Sequence, residues 1–287
     1  MFDRQTFQQV FDRLPCHFSQ GAIALHHYEV LESTNTTAWE LLKNGASSPL
    51  VVIADRQTAG RGQWGRQWQS DRGGLYLSLG MAIESAIGIH LTFSSGWGIA
   101  TALGREGIPV ELKWPNDLIL EGKKLGGIKT VTKGQVRGKR QVYPPPTPNS
   151  PHYTVIGVGI NWQNQPPEPG IALSSFLQGQ SRGAIATLES LAAITTCGIL
   201  SGYHYFLNEG VDALLSSYWE LAIAKGRSVT INGCPGKIVG ITPQGELRIR
   251  IESPGASTEI CCPPGTITLG YDRKDKNFSE RSLHKKS

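Results

Sequence analysis

The sequence predicts an α+β fold in which a mixed or antiparallel β-sheet is flanked by helices and followed by a small β-barrel. Two observations support this prediction. Before residue 224, β-type runs alternate irregularly with helical patterns, whereas after Gly226 only short β runs remain, separated by glycine and proline. The chain of 287 residues is also long enough for one large domain and one small domain.

Helices are predicted where apolar residues recur at three- and four-residue intervals, as Phe7, Phe11 and Leu14 do near the start of the chain. The second predicted helix also begins with side chains suited to capping, Ser33 to Asn35. The predicted helices cover residues 2–14, 33–44, 89–105, 187–209 and 211–223.

Strands are predicted from short β-type runs between turn residues, at 50–54, 74–81, 110–114, 117–120, 126–132 and 153–162. Five further runs suggest the barrel, at 228–231, 236–241, 246–251, 257–261 and 266–269. We therefore expect a large domain at residues 1–224, a barrel at 225–270 and a polar tail at 271–287 that is disordered.

The net charge of +5 comes from two segments of unusual composition. A proline-rich insertion at 133–152 carries four basic side chains and no acidic one, and the tail carries six basic and three acidic side chains. A duplex-binding surface would cluster its positive charge on a folded element instead. DNA is therefore not an expected partner, although nucleic-acid binding through residues 133–152 remains an alternative.

The composition of the chain also indicates where in the cell the protein is located. No apolar stretch approaches the roughly 20 residues that a membrane helix needs, and the N-terminus lacks the apolar run of a signal peptide. The five cysteines show no CxxC spacing, which disfavours a disulfide framework or a zinc site. The sequence thus predicts a cytoplasmic protein without a membrane partner.

The most informative segment is the loop Asp55–Trp68, which follows a predicted strand. Its glycines let backbone amides approach an anion, and its arginines can bind carboxylate or phosphate in a bidentate manner. It matches neither the P-loop nor the dinucleotide-binding pattern. A solvated surface loop is the alternative, but Trp64 and Trp68 favour a binding site because an indole prefers a flat, apolar partner. The interleaved residues are Gly60, Arg61, Gly62, Gly65 and Arg66.

Two further segments place lysines and a carboxylate near this loop in sequence, Lys113-Trp-Pro-Asn-Asp117 and Lys124-Leu-Gly-Gly-Ile128. Cations that neutralise phosphate and a carboxylate that holds Mg²⁺ or orients the attacking group are suited to adenylyl transfer. The alternative is an Asn-Asp turn with solvated lysines.

A fourth segment, Val155–Trp162, carries glycines inside a strand. Such glycines leave room for another group against the backbone, and Asn161 could then present its amide to a heteroaromatic ring. The alternative is a buried strand in which the glycines serve packing alone.

Together these segments resemble the biotin–protein ligase family, also called biotin–acetyl-CoA-carboxylase ligases. The resemblance covers about residues 28–270 and implies a lipoate-ligase-like, class II synthetase-like catalytic domain followed by an SH3-like barrel. It rests on segments that occur in the family's order: Ser33-Thr-Asn35, Gln57-Thr-Ala-Gly-Arg-Gly62, Gly65-Arg66 with Trp68, Lys113-Trp-Pro-Asn-Asp-Leu118, Lys124-Leu-Gly-Gly-Ile128 and Gly157-Val-Gly-Ile-Asn161.

The resemblance implies a two-step reaction with ATP and biotin as substrates and Mg²⁺ as cofactor. The biotin carboxylate attacks the α-phosphorus of ATP to give biotinyl-5′-AMP and pyrophosphate. A lysine of the biotin carboxyl carrier protein of acetyl-CoA carboxylase then attacks the mixed anhydride and releases AMP. The oligomeric state is left open, a homodimer included.

The resemblance also assigns roles by position. The residues implied in binding biotin are Ser33, Thr34, Asn35, Gln57, Gly60, Arg61, Lys124, Gly127 and Gly157. Those implied in binding ATP are Arg61, Arg66, Trp68, Lys113, Asn116 and Asn161. Lys124, Arg61, Lys113 and Asp117 are implied in catalysis, and Asp117 is in addition the candidate ligand for Mg²⁺.

Two departures from the family pattern have consequences. Gln63 stands where relatives usually carry arginine, so we expect biotinyl-AMP to escape faster than from those relatives. Only about 27 residues precede the core, so we expect a ligase without the DNA-binding domain of the repressor-ligases. Two alternatives remain open: a lipoate or octanoate transferase, and a vitamin-binding module without catalysis.

Overall fold

The computed structural model describes residues 2–16, 23–83, 88–133, 152–178, 185–231, 233–253, 256–271 and 279–280. Its central element is a seven-stranded sheet with the strand order β1-β2-β3-β7-β6-β5-β4. Only β1 and β2 run parallel, and the other neighbouring pairs are antiparallel. The strands are β1 (Ala24–Leu31), β2 (Leu50–Gln57), β3 (Leu75–Ile83), β4 (Glu111–Lys113), β5 (Asp117–Leu120), β6 (Lys123–Lys133) and β7 (His152–Ile160).

Helices cover both faces of this sheet. They are α1 (Arg4–Phe11), α2 (Thr34–Lys43), α3 (Gly88–Arg105), α4 (Leu173–Leu177) and α5 (Leu188–Glu220). Strand β2 shows why two faces need covering, because successive side chains of a strand point to opposite sides. Val51 and Ile53 join the large core with α3 and α5, while Leu50 and Val52 join a smaller core under α2.

The C-terminal part forms a four-stranded antiparallel sheet with the order β11-β10-β9-β8, as expected for an SH3-like module. Its strands are β8 (Ser228–Ile231), β9 (Cys234–Ile241), β10 (Leu247–Ser253) and β11 (Ala256–Cys262). Two short strands, β12 (Ile267–Thr268) and β13 (Ser279–Glu280), pair with each other. The domain boundary near residue 224 falls between α5 and β8 and stays a prediction.

The predicted mixed sheet with flanking helices is confirmed, and strands 117–120 and 228–231 match the prediction residue for residue. The two helices predicted at 187–209 and 211–223 form α5, whose helical geometry is broken at Gly210, where φ is +80°. Strand β1 and helix α4 were not predicted from the sequence.

The described residues of the tail make contacts with the rest of the chain. Ser279 pairs with Thr268 and Glu280 with Ile267, and Tyr271 makes side-chain contacts described below. The expected disorder of the tail stays a prediction. The remainder of the tail, and residues 134–151 of the predicted insertion, lie outside the described residues. Within the described part of the chain, no helix is long and apolar enough to cross a bilayer.

Candidate active site

One cleft gathers most of the residues that the sequence singled out. It lies where the loop 55–68, the hairpin of β4 and β5, strand β6 and the segment around β12 meet. Predicted site residues that line it are Ser33, Thr34, Asn35, Gln57, Arg61, Arg66, Trp68, Lys113, Asn116, Asp117, Lys124, Gly127 and Gly157.

One end of the cleft is a network of neutral hydrogen-bonding groups. Gln57 accepts from the backbone N–H of Thr34 at 2.8 Å and from its hydroxyl at 3.1 Å. The amide nitrogen of Gln57 donates to Ser70 Oγ at 2.9 Å, and Ser70 donates to the carbonyl of Trp68 at 3.0 Å. Because both ends of the Gln57 amide are partnered, its orientation is fixed.

The network continues to the other side of Thr34. The buried hydroxyl of Ser78 lies 2.8 Å from Thr34 Oγ1 and 2.5 Å from Asn35 Oδ1. A side chain at Gly157 would overlap the amide of Asn35, so glycine is required there for the placement of Asn35. Ser33 begins α2 without a side-chain capping bond, and it lines the cleft instead.

The glycine-arginine loop is folded against the sheet. Gly62 N–H donates to the carbonyl of Arg66 at 2.7 Å, which closes a narrow hairpin around a single 3₁₀ turn at Gln63–Gly65. Lys129 donates to the carbonyl of Gly62 at 2.8 Å, and Gln63 donates to the carbonyl of Ile128 at 3.3 Å. Both bonds tie the loop to strand β6.

The two tryptophans of the loop have different surroundings. The indole of Trp68 lies against Gly159 of β7, where a Cβ would come within 2.5 Å of its Nε1. Trp64, with φ of +53° and an exposure of 47%, lies over Gly265 of the C-terminal part. The Arg66 guanidinium is 5.8 Å from the Trp64 ring centroid. The loop therefore contacts both parts of the chain.

A second part of the cleft is cationic, with Asp117 at its centre. Asp117 Oδ1 lies 2.7 Å from Lys124 Nζ, and Oδ2 lies 3.7 Å from Lys113 Nζ. The pairing of β4 with β5 places Lys113 directly opposite Asp117. Tyr271 donates to Asp117 Oδ2 at 3.2 Å, and Lys113 Nζ sits 3.5 Å from the centroid of the Tyr271 ring.

Burial shifts the pKa of two of these groups. It lowers the pKa of Lys113 to about 8, because water is withdrawn from the ammonium; Asp117 opposes this shift, and the cations Lys124, Arg66 and Arg227 add to it. Burial, with the nearby Asp117 charge, raises the pKa of the Tyr271 phenol. Tyr271 therefore acts as a neutral hydrogen-bond donor.

The residues do not fit a magnesium ion held by Asp117. Both of its oxygens already face ammonium or phenol donors, and the rest of the cleft lining contributes cations but no second carboxylate. Mg²⁺ favours oxygen ligands in near-octahedral arrangement. Within the described ranges, no cluster of three His, Cys, Asp or Glu residues could hold a metal.

Two predicted site residues do not line the cleft. A Cβ at Gly60 would overlap the Ser70 hydroxyl and the Trp68 carbonyl, so this glycine serves the loop's own packing. Asn161 is buried, with its nitrogen 3.3 Å from the Lys124 carbonyl and its oxygen accepting from Asn164 at 3.0 Å. The amide of Asn161 thus supports the backbone of Lys124.

Several residues of the site were not predicted. Lys129 follows a segment that the sequence had singled out, and extending that segment by one residue would have included it. Residues from the C-terminal part gave no sequence signal, because their contacts join positions far apart in the chain. The cleft residues to which the sequence had assigned no role in binding or catalysis, several of them inside the quoted motifs, are Gly62, Gln63, Trp64, Gln67, Trp114, Pro115, Ile128, Lys129, Val158, Gly159, Ile267 and Leu269, together with Tyr271, which contacts Asp117.

Comparison with known proteins identifies the family. A profile of the biotin/lipoate A/B protein ligase family matches residues 27–142. The bifunctional ligase/repressor BirA of Bacillus subtilis (strain 168) is 30% identical over 233 residues, which covers 78% of this chain and 68% of the relative. The chain belongs to the biotin/lipoate A/B protein ligase family. The resemblance inferred from the motifs is thereby confirmed.

Other members of the biotin/lipoate A/B protein ligase family agree. A biotin–[acetyl-CoA-carboxylase] ligase of Paracoccus denitrificans is 31% identical over 172 residues, covering 56% of this chain and 65% of that protein. The structure of biotin protein ligase from Aquifex aeolicus, in complex with biotin and ATP, has a TM-score of 0.60 at 23% identity. The match covers 90% of this chain and 98% of the Aquifex aeolicus chain, and it shows that the two proteins share a fold.

Proposed function

We propose that this chain is a biotin–protein ligase that uses ATP to attach biotin to a lysine of an acceptor protein through biotinyl-5′-AMP. The observation that carries the proposal is a single cleft with two chemically different ends. One end is neutral and rich in directed hydrogen bonds around Gln57, and the other holds Lys113 and Lys124 around Asp117. The family relatives named as biotin ligases support the same activity.

The neutral end suits the bicyclic urea of biotin, which presents two N–H donors and one carbonyl acceptor. We assign it to Ser33, Thr34, Asn35 and Gln57, which line the cleft there. Arg61, held by Glu32 at 2.8 Å, lies on the loop beside this end and is assigned to enclosing the ligand. Such fixed dipoles bind a ligand with little reorganisation.

The cationic end suits the reacting groups. In the first step a carboxylate oxygen of biotin attacks the α-phosphorus, and the bond from that phosphorus to the pyrophosphate oxygen breaks. Lys124 is assigned to the carboxylate and acyl-phosphate oxygens, and Lys113 with Arg66 to the phosphates. Trp68 and Asn116 are assigned to the adenosine part. Asp117 keeps the two ammonium groups apart and in place, so catalysis comes from positioning and charge neutralisation.

In the second step the neutral amine of the acceptor lysine attacks the carbonyl carbon of the mixed anhydride. An amide forms, AMP departs with the bonding electron pair, and the amine gives up a proton. No protein nucleophile is needed. We propose the biotin carboxyl carrier protein of acetyl-CoA carboxylase as acceptor, in the cytoplasm and without a role for DNA.

We also propose that the reaction depends on Mg²⁺, although not through binding of the ion by Asp117. Because Asp117 is already partnered at both oxygens, we assign the ion to the phosphate oxygens of the nucleotide. The oligomeric state, a homodimer included, is a separate matter that sedimentation of the purified protein decides.

The decisive experiment supplies purified protein with labelled biotin, Mg-ATP and an isolated carrier domain. We expect label on the carrier and biotin-dependent release of pyrophosphate. Biotin binding without pyrophosphate release would instead identify a vitamin-binding module. Titration calorimetry with biotin and with lipoate separates the ligase from a lipoate or octanoate transferase, for which lipoate would be the tighter ligand.

A further inference from the structure

Residues 267–271 belong to the C-terminal part of the chain and form one side of the cleft. Ile267 and Leu269 line the cleft. The carbonyl of Gly270 accepts a hydrogen bond from the guanidinium of Arg227 at 3.1 Å. Arg227 is itself buried, so the backbone next to Tyr271 is anchored from within the protein.

Tyr271 contacts both members of the Lys113–Asp117 pair at once. Its hydroxyl donates to Asp117 Oδ2 at 3.2 Å, and its ring lies 3.5 Å from Lys113 Nζ. The ammonium is 3.7 Å from the nearest carboxylate oxygen, farther than the 2.7 Å between Lys124 and the same carboxylate. The aromatic ring is therefore a main neighbour of the Lys113 ammonium.

A buried ammonium needs compensation for the water it has lost. Lys113 is only 6% exposed. An aromatic face attracts a desolvated cation, and a carboxylate held by a phenol donor keeps one position for its charge. The ring and the hydroxyl of Tyr271 thus constrain where the Lys113 ammonium and the Asp117 carboxylate sit.

We propose that Tyr271 is a positioning residue for the nucleotide, holding Lys113 and Asp117 in the arrangement that receives the ATP phosphates. This inference rests on the proposed function and refines it. The neutral end of the cleft uses other residues, Ser70, Gln57 and Thr34 among them, so biotin binding does not depend on Tyr271. Loss of Tyr271 therefore weakens ATP use selectively.

The test compares Tyr271→Phe, which keeps the ring, with Tyr271→Ala, which removes ring and hydroxyl. Steady-state pyrophosphate release gives kcat and the KM for Mg-ATP, and calorimetry gives the Kd for biotin without nucleotide. We expect the KM for ATP to rise about threefold in Tyr271→Phe and at least about tenfold in Tyr271→Ala. The Kd for biotin is expected to stay within about twofold in both.

Tyr205→Phe is the matched control. Like Tyr271→Phe, this substitution removes one hydrogen bond of a tyrosine hydroxyl, here the bond to Ser217 at 3.0 Å. Both Tyr205 and Ser217 belong to α5, and neither lines the cleft. It should leave both constants unchanged. Thermal melting of all variants shows whether the fold is retained, and retained biotin affinity gives a second check within the same cleft.

The outcomes separate this inference from the proposed function. If the wild-type protein turns over ATP with biotin while Tyr271→Ala keeps the wild-type KM for ATP, the inference alone is overturned. A parallel loss of biotin affinity and melting temperature in Tyr271→Ala also overturns it, because the role is then structural. If the wild-type protein releases no pyrophosphate with biotin, the proposed function fails and the inference fails with it.

Discussion

At the scale of single residues, Lys113 makes the cleft sensitive to pH. Burial lowers its pKa to about 8, so the ammonium predominates below that pH and the neutral amine above it. Because only the ammonium attracts phosphate, we expect kcat/KM for ATP to fall as the pH rises through about 8. A pH profile from 6.5 to 10 measures this.

Lys113→Arg provides the control for the pH profile. A guanidinium stays charged throughout this range, so the alkaline fall should move beyond pH 10 even if the rate itself is lower. An unchanged alkaline limb in this variant would show that another group causes the fall.

Lys124 offers a direct test of the cationic end. Lys124→Ala should lower the rate of adenylation about 10- to 100-fold, as expected for loss of charge-assisted hydrogen bonds to the reacting oxygens. Its melting temperature should change little, because Asp117 keeps Lys113 and Tyr271 as partners. The neighbouring Lys123, half exposed and 3.9 Å from Glu168, is the matched control. Full activity in Lys124→Ala would remove this lysine from the site.

We expect Gln63 to affect how fast biotinyl-AMP dissociates from the protein. Its side chain donates to the carbonyl of Ile128 and carries no charge toward the cleft. We expect Gln63→Arg to slow the escape of biotinyl-AMP, because an arginine adds a cation beside the phosphate. Dissociation of labelled adenylate measures the effect, and equal rates in both proteins would contradict the prediction.

The sequence predicts those site residues that motifs bring together locally. Thirteen of the fifteen assigned residues line the cleft. The two exceptions, Gly60 and Asn161, lie inside motifs but support the backbone of other site residues. Tyr271 could not be found in this way, because it meets Asp117 across 154 positions of the chain. Such a contact depends on how the C-terminal part packs, which no local pattern specifies.

At the scale of elements, α3 and α5 approach each other through glycines. A Cβ at Gly98 of α3 would overlap the carbonyl of Gly198 on α5, and one at Gly202 would overlap the carbonyl of Ser94. The close approach brings two largely buried helices into contact over the sheet. It also explains why these apolar helices tolerate several glycines in their interior.

A pair of substitutions in α3 tests this packing. Gly98→Ala should destabilise the protein by about 1–3 kcal/mol, because the added methyl pushes the helices apart. Gly104→Ala, on the same helix with nothing within 4 Å of the new Cβ, should stabilise it by about 0.5–1 kcal/mol. Thermal melting measures both shifts, and shifts of the same sign would contradict the packing described.

Two elements escaped prediction for identifiable reasons. Strand β1, Ala-Leu-His-His-Tyr-Glu-Val-Leu, places polar side chains next to one another and is only partly buried, so it lacks a clear alternation. Helix α4 spans five residues, too few to show helical periodicity. In contrast, the first five residues of β2 and most of β3 are apolar and buried, because both faces of the sheet are covered there, and these runs were predicted as strands.

At the scale of the whole molecule, we predict that the proline-rich insertion can be removed without loss of the cleft. Strands β6 and β7 pair as far as Lys133 and Tyr153, so their ends already lie side by side. Replacing 134–151 by a turn of about four residues should leave the adenylation rate within about twofold of wild type.

The same variant tests the nucleic-acid alternative. It loses three basic side chains, Arg137, Lys139 and Arg140. If salt-sensitive binding of nucleic acid exists and disappears with the insertion while adenylation persists, the two properties are independent. Loss of adenylation in a variant that melts normally would show that the insertion takes part in the chemistry.

The cleft has a lining that runs from Ser33 to Leu269, close to the full span of the chain. During synthesis on the ribosome, all seven strands of the sheet are available once Ile160 has emerged. Ile267 and Leu269, which line the cleft, emerge only about a hundred residues later. A truncated product released before that point would carry every motif of the family and still present a cleft open on one side. The lining of the cleft is thus complete only after residues 267–269 have been synthesised.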